Sequence, residues 1–297
     1  MWRDVSPGAM GPAPIRLCVS AAVKLWDTAG YRLDRRSEHT ALPAGWQRNQ
    51  MAVSQMTGQE SLITPGELTV SDVHVWSTSL EVHPERVSQL ESLLSEDEAD
   101  RARSLLFGRE RLRFIVGRGV LREILGRYLH KPPHLLRFSY RPHGKPCLEH
   151  HGHGLPLFFN VSHSQDLAVY ALCLDAELGV DVERLRAIAN VKSIAEEFFS
   201  PQENAVLARM KATTEAFFHC WTRKEALLKA VGAGLSATRC PFTVPVRPDA
   251  LPCILRLPSA FGASDRWSLH DLQPSEGYVG AVAISGEEWQ VAAGRYV

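Results

Sequence analysis

The chain has 297 residues, with 45% hydrophobic and 22% charged side chains, enough for two ordinary domains around a sizeable core. Lys plus Arg and Asp plus Glu both total 33, so no global field favours nucleic acid or a charged membrane surface. No run approaches the ~20 apolar residues of a membrane span. The six cysteines (18, 147, 173, 220, 240 and 253) include no CxxC pair, which fits a reduced cytoplasmic protein better than a disulfide scaffold.

Residues 1–66 mix Gly, Pro, Arg and Ser without sustained periodicity and read as a disordered extension, or as sequence ahead of a later start at Met51 or Met56. Within them "IRLCVSAAVKLW" (15–26) is only a weak signal-like run, short and carrying Lys24. Order begins at "DVHVWSTSL" (72–80), whose alternation predicts a strand. Ser95 with Glu98 makes a capping box, and helical sequence runs from there to about Leu129, broken near Gly108 and ended by "KPP" (131–133). "HLLRFSY" (134–140) predicts a short strand and "RPHGKP" (141–146) a turn. "LFFNVSHS" (157–164) and "LAVYALCL" (167–174) predict two strands joined by a tight polar turn.

A boundary falls near 175–178, giving halves of 67–176 and 177–297. The second half predicts a strand at 179–183, a helix at about 190–198, and an N-cap at Ser200 in "FFSPQENAVLARM". A longer helix follows at about 214–231, closed by "GAGLS", then strands at 241–246, 252–257, 266–272, 278–285 and 288–296. Strand, helices and strands, twice over, imply an α+β fold of two similar halves, although their residue identity is too low to establish a repeat.

Chemistry concentrates in three places. "GVDVE" (179–183) sets Asp181 and Glu183 on one face of a strand, with Val180 and Val182 on the other. Two like charges side by side require something positive between them. In "WTRKEALLK" (221–229), Trp221, Glu225 and Lys229 share a helix face at i, i+4, i+8. If Glu225 meets the pair, three carboxylates form an oxygen-only site suited to Mg²⁺. The bland alternative is an exposed Glu225–Lys229 pair and a polar strand end. In "FNVSHS" (159–164), Ser162 and His163 fall on opposite faces of a strand, which argues against a Ser–His dyad and leaves two separate donors to phosphate oxygens.

"GKP" (144–146), "FNVSHS" (159–164), "GVDVE" (179–183), "FFSPQE" (198–203) and "WTRKEALLKAVGAGLS" (221–236) occur in order. Together they resemble the Sfp-type 4′-phosphopantetheinyl transferases over about residues 70–297. The resemblance implies two α+β halves related by a pseudo-twofold axis in a monomer, with the active site between them. It implies transfer of 4′-phosphopantetheine from coenzyme A to a serine of an apo acyl or peptidyl carrier protein, with release of 3′,5′-ADP. By resemblance Asp181, Glu183 and Glu225 are Mg²⁺ ligands, and Lys229 stands near the reacting phosphate. Glu225 or a metal-held water takes the serine proton. Ser162, His163 and Lys145 contact coenzyme A, and Arg109 and Arg113 are chosen for its 3′-phosphate among the eight arginines between 101 and 127. The histidines crowded around Cys147 (130, 134, 143, 150, 151 and 153) lack the paired spacing of zinc ligands and read as a polar loop. Two rivals remain: a Mg²⁺-dependent phosphohydrolase of coenzyme-A-like diphosphates, and a non-catalytic carrier-binding module.

Overall fold

Val73 and Val75 alternate with His74 and Trp76 in β1 (Asp72–Ser79), the first strand of the computed structural model, which describes residues 67–141, 144–149, 156–232, 242–259 and 264–297. Helix α1 (Pro84–Glu91), absent from the elements expected above, follows, with Pro84 at its first position as its sequence signal. The predicted helical stretch divides into α2 (Glu96–Ser104) and α3 (Gly108–Leu129), and α3 stops at His130 in the left-handed region, φ 49. A hairpin of β2 (Phe138–Tyr140) and β3 (Pro146–Leu148) comes next. Then β4 (Leu157–Ser164) and β5 (Leu167–Leu174) are joined across Gln165, φ 51, and Asp166.

The second half opens with β6 (Leu178–Arg184), α4 (Val191–Phe198) and α5 (Pro201–Leu207). The long α6 (Thr213–Val231) ends at Gly232, φ 70, in a conformation that glycine adopts freely. Strands β7 (Trp267–Leu272), β8 (Tyr278–Ser285) and β9 (Gln290–Arg295) complete the chain. The strands expected at 241–246 and 252–257 shrink to one bridge, Thr243 to Arg256. The reason is visible: Arg223 donates to the carbonyls of Pro245, Arg247 and Ala250, and Lys224 to that of Phe242. Buried side-chain donors thus take the backbone acceptors that a sheet would have used. The N-terminal extension and most of the histidine-rich loop lie outside the described residues. Among the described residues, no helix is long and apolar enough to cross a membrane.

The two halves share a topology. One sheet has the order β4-β5-β1-β9 and the other β6-β8-β7. In each half the first strand pairs antiparallel with the last strand of the motif (β1 with β5, β6 with β8), which pairs antiparallel with the strand before it. A long helix, α3 or α6, sits between. One core lies between the first sheet and its helices, from Trp76, Leu90, Ile115, Ile124 and Tyr170. Another joins the sheets, with Val73, Val75, Val169 and Ala171 against Val180, Val182, Val282 and Ile284.

A buried ion pair makes the duplication chemical. Glu98, third residue of α2, accepts from the Ser95 backbone N–H at 3.1 Å and from Arg122 Nε of α3 at 2.6 Å. Glu203, third residue of α5, accepts from the Ser200 N–H at 2.6 Å and from Lys224 Nζ of α6 at 2.7 Å. Superimposing the pairs sets "REILGR" (122–127) on "KEALLK" (224–229), so that Glu123 answers to Glu225 and Arg127 to Lys229. The symmetry stops at β9: a strand of the second half runs parallel to β1 and completes the first half's sheet.

Candidate active site

Strand β4 lies along β6 with no backbone ladder between them; side chains make the seam. Asn160, Ser162 and Ser164, alternate residues of one face, are all buried. Asn160 Oδ1 accepts from the Val180 N–H at 2.9 Å, Ser162 Oγ donates to Asp181 Oδ1 at 2.8 Å, and Ser164 Oγ donates to Glu183 Oε2 at 2.7 Å. On the other side β6 runs hard against α6: a Cβ on Gly179 would stand 2.2 Å from the Ala226 carbonyl oxygen. That glycine lets the strand approach closely enough for Glu225 and Lys229 to meet Asp181.

The positive group that the paired carboxylates require is Lys229. Its ammonium donates to Asp181 Oδ1 at 2.6 Å, to Ser162 Oγ at 2.9 Å and to the Val180 carbonyl at 3.0 Å. This rules out the exposed Glu225–Lys229 pair of the bland reading, because Glu225 is only 7% exposed. Its carboxyl is pushed up to about 8, first by burial and then by the Asp181 charge. Glu183 is pushed up to about 7, again by burial and then Asp181. Asp181 Oδ2 is buried without a hydrogen-bond partner. Both contacts to Glu183, from Ser164 and from Arg186 at 3.6 Å, fall on Oε2 and leave Oε1 to the site.

Three crowded carboxylates with unclaimed oxygens are a donor set that suits a hard divalent cation. They do not already close around one: among the described residues, no group of three or more His, Cys, Asp or Glu forms a ready ligand cage. The Lys229 ammonium offsets the charge of Asp181, and burial beside that charge favours the protonated forms of Glu183 and Glu225.

Ser162 and His163 do point to opposite faces. Ser162 is buried in the seam, its one proton given to Asp181. His163 is exposed in area, yet protein crowds its ring. Its pKa is lowered by desolvation first, then by the charges of Lys229 on α6 and Arg113 on α3. Arg113 pairs with Asp166 at the β4–β5 turn, and its Nε is buried and unpartnered. Arg109 reaches the same Asp166 at 3.0 Å and Glu81 at 2.9 Å. Asp166 thus gathers both arginines just beyond the end of the strand that carries His163. Lys145 sits apart from them: its ammonium donates to Glu177 Oε2 (3.2 Å), the Leu178 carbonyl (2.9 Å) and the Lys229 carbonyl (3.1 Å). It ties the turn before β3 to β6 and to the last turn of α6, where a cation suits the helix dipole. A contact from Ser162 or Lys145 to a ligand would replace these bonds.

Asn160, Ser164 and Arg186 were not singled out in the sequence. Asn160 and Ser164 were legible as the period-two polar set around Ser162 in "NVSHS", since alternate strand residues share a face. Arg186 had no comparable signal.

The 4′-phosphopantetheinyl transferase superfamily matches residues 177–283, and its N-terminal family matches residues 78–174. The chain is 36% identical over 230 residues to the 4′-phosphopantetheinyl transferase HetI of Nostoc sp., an alignment covering 76% of this chain and 94% of that protein. It is 31% identical over 162 residues to the 4′-phosphopantetheinyl transferase Sfp of Bacillus subtilis, covering 53% of this chain and 69% of that one. With the two-half α+β topology and the carboxylate–lysine cleft at their seam, these matches establish that the chain belongs to the 4′-phosphopantetheinyl transferase superfamily.

Proposed function

We propose that this enzyme transfers 4′-phosphopantetheine from coenzyme A to a serine of an apo acyl or peptidyl carrier protein, and that Mg²⁺ bound by Asp181, Glu183 and Glu225 is its cofactor. The observation that carries the reading is the half-used state of the carboxylates: Asp181 is gripped through Oδ1 with Oδ2 unclaimed, and Glu183 is gripped through Oε2. The carrier serine oxygen attacks the β-phosphorus of coenzyme A. The bond to the oxygen bridging the two phosphates breaks, and 3′,5′-ADP leaves. Mg²⁺, when bound, neutralises the charge that grows on the diphosphate.

In this scheme Glu225 takes the serine proton in its ionised form, and the burial that raises its carboxyl makes that form a stronger base than an ordinary glutamate. Lys229, already directed at the carboxylates from α6, supplies a fixed cation to the phosphoryl oxygens. His163, Arg109 and Arg113 receive coenzyme A phosphates, for which guanidinium forks are suited. Asp166 would yield its arginine contacts to the ligand. Ser162 and Lys145 brace the site and touch coenzyme A only by exchanging their present partners. Asp181, Glu183, Glu225 and Lys229 all come from one chain, which supports a monomer.

The test is a three-component assay. With coenzyme A and Mg²⁺, 3′,5′-ADP should appear only when apo carrier is added, and mass spectrometry should find one phosphopantetheine per carrier serine. Release without carrier would make the protein a phosphohydrolase. Carrier binding without release would make it a non-catalytic module.

A further inference from the structure

We infer that Ser164 is a positioning residue that sets Glu183 for the cation, so that a strand of the first half determines the metal affinity of carboxylates carried by the second. The inference rests on the proposed role of Asp181, Glu183 and Glu225 as Mg²⁺ ligands.

Ser164 lies on β4, two residues beyond Ser162, and is 1% exposed. Its hydroxyl donates to Glu183 Oε2 at 2.7 Å and accepts from the Arg184 backbone N–H at 3.2 Å. It therefore holds both the carboxylate and the backbone that bears it. Ser162 likewise donates to the Asp181 carboxylate from the preceding position on that face. Each serine occupies one oxygen of one carboxylate and leaves the other to the site; on Asp181 that second oxygen is buried and unpartnered. A glutamate has three side-chain torsions, and fixing one oxygen removes most of the freedom that a cation would otherwise have to freeze.

Asn160 supplies the internal control. It makes the third rung of the same seam, at comparable burial, but its acceptor bonds the Val180 N–H and touches no carboxylate. If the rungs only glue strand to strand, loss of Asn160 and loss of Ser164 have the same consequences. If Ser164 positions Glu183, they part.

The experiment is calorimetric titration of Mg²⁺ into the full chain without coenzyme A, on wild type, Ser164→Ala, Ser164→Thr and Asn160→Ala, each also melted. Loss of such an outer hydrogen bond to a metal ligand weakens binding about 10–100-fold. Ser164→Ala should fall in that range, Ser164→Thr should recover most of the loss, and Asn160→Ala should lower the melting temperature while binding Mg²⁺ within about twofold of wild type. If Ser164→Ala does not fold, Ser164→Thr and Ser164→Cys decide, since only the first retains a hydroxyl donor. Wild-type affinity in every folded variant lacking that hydroxyl, or an equal loss in Asn160→Ala, overturns the positioning role. If wild type itself takes up no Mg²⁺, the ligand assignment falls and the inference with it, whereas carrier-dependent transfer is judged by its own assay.

Discussion

Burial and the Asp181 charge favour the neutral form of Glu225 where an ordinary glutamate is charged. Its carboxyl is raised from 4.5 to about 8 by burial and then by Asp181. Between those values the folded protein holds a proton that the unfolded chain has lost, so this group's contribution to stability falls as pH rises. Glu225→Gln, neutral at every pH, should therefore match the parent near pH 4.5 in metal-free buffer and become the more stable protein as pH approaches 8. Melting curves across that window check it, and an advantage independent of pH would remove the buried charge from the explanation. Lys229 separates from Glu225 by function. Loss of one preorganised charge from a transition state costs about 10²–10³ in rate, so Glu225→Gln and Lys229→Ala should both be nearly inactive. Extra Mg²⁺ should partly rescue the first, whose metal affinity falls, and leave the second unchanged. Equal rescue would show that the two side chains do not have separate roles.

At the scale of elements, the two long helices are fixed by the same device. Each carries a buried cation that meets the capping-box glutamate of the short helix before it and the carbonyls of an irregular segment after it. Such a pair costs desolvation on both sides, and removing one partner leaves a buried charge alone. Lys224→Met should thus destabilise the protein by about 3–5 kcal/mol, and adding Glu203→Gln should recover much of that loss. Chemical denaturation of the single and double variants decides; additive losses would deny the coupling. The symmetry also explains why one half is catalytic. Where β6 offers Asp181 and Glu183 to its helix, β1 offers His74 and Trp76, whose ring nitrogens meet the Tyr128 hydroxyl at 2.7 and 2.9 Å. Where Lys229 faces a carboxylate, Arg127 lies over the Tyr296 ring. The first half keeps the frame of the site and fills it.

For the whole molecule, the crossing of β9 matters most. It pairs with the edge of β1, and Tyr296 beyond it packs edge-on against Trp76 and reaches Glu123 Oε2 at 3.3 Å. Removing residues 290–297 would bare the ladder of β1 and open the core under Trp76. Hydrogen exchange should then speed along β1 well before it speeds in β6 and β8, which pair without β9. Uniform acceleration in both sheets would mean that the halves fold as a single unit and β9 is not the local clasp.

The sequence by itself determined the local features. Short, mostly apolar runs bounded by polar turns placed β4, β5 and β8 residue for residue, because a strand covered on both faces is largely apolar. A capping box at Ser95 and an N-cap at Ser200 located two helix starts, and i, i+4 spacing set Glu225 and Lys229 on one face. Five ordered motifs were enough for the family. What it could not contain was anything that depends on which buried side chain reaches which backbone. Arg223 and Lys224 turned two expected strands into a looped segment, and the crossing of β9 gave a strand of one half to the sheet of the other. The ammonium of Lys145 was bound into the chain itself. The proton of Ser162 went to Asp181, and the positive neighbour of Asp181 proved to be Lys229, 48 residues away. Contacts of that length have no period in the chain; only the packing of β4, β6 and α6 around one seam brings them together.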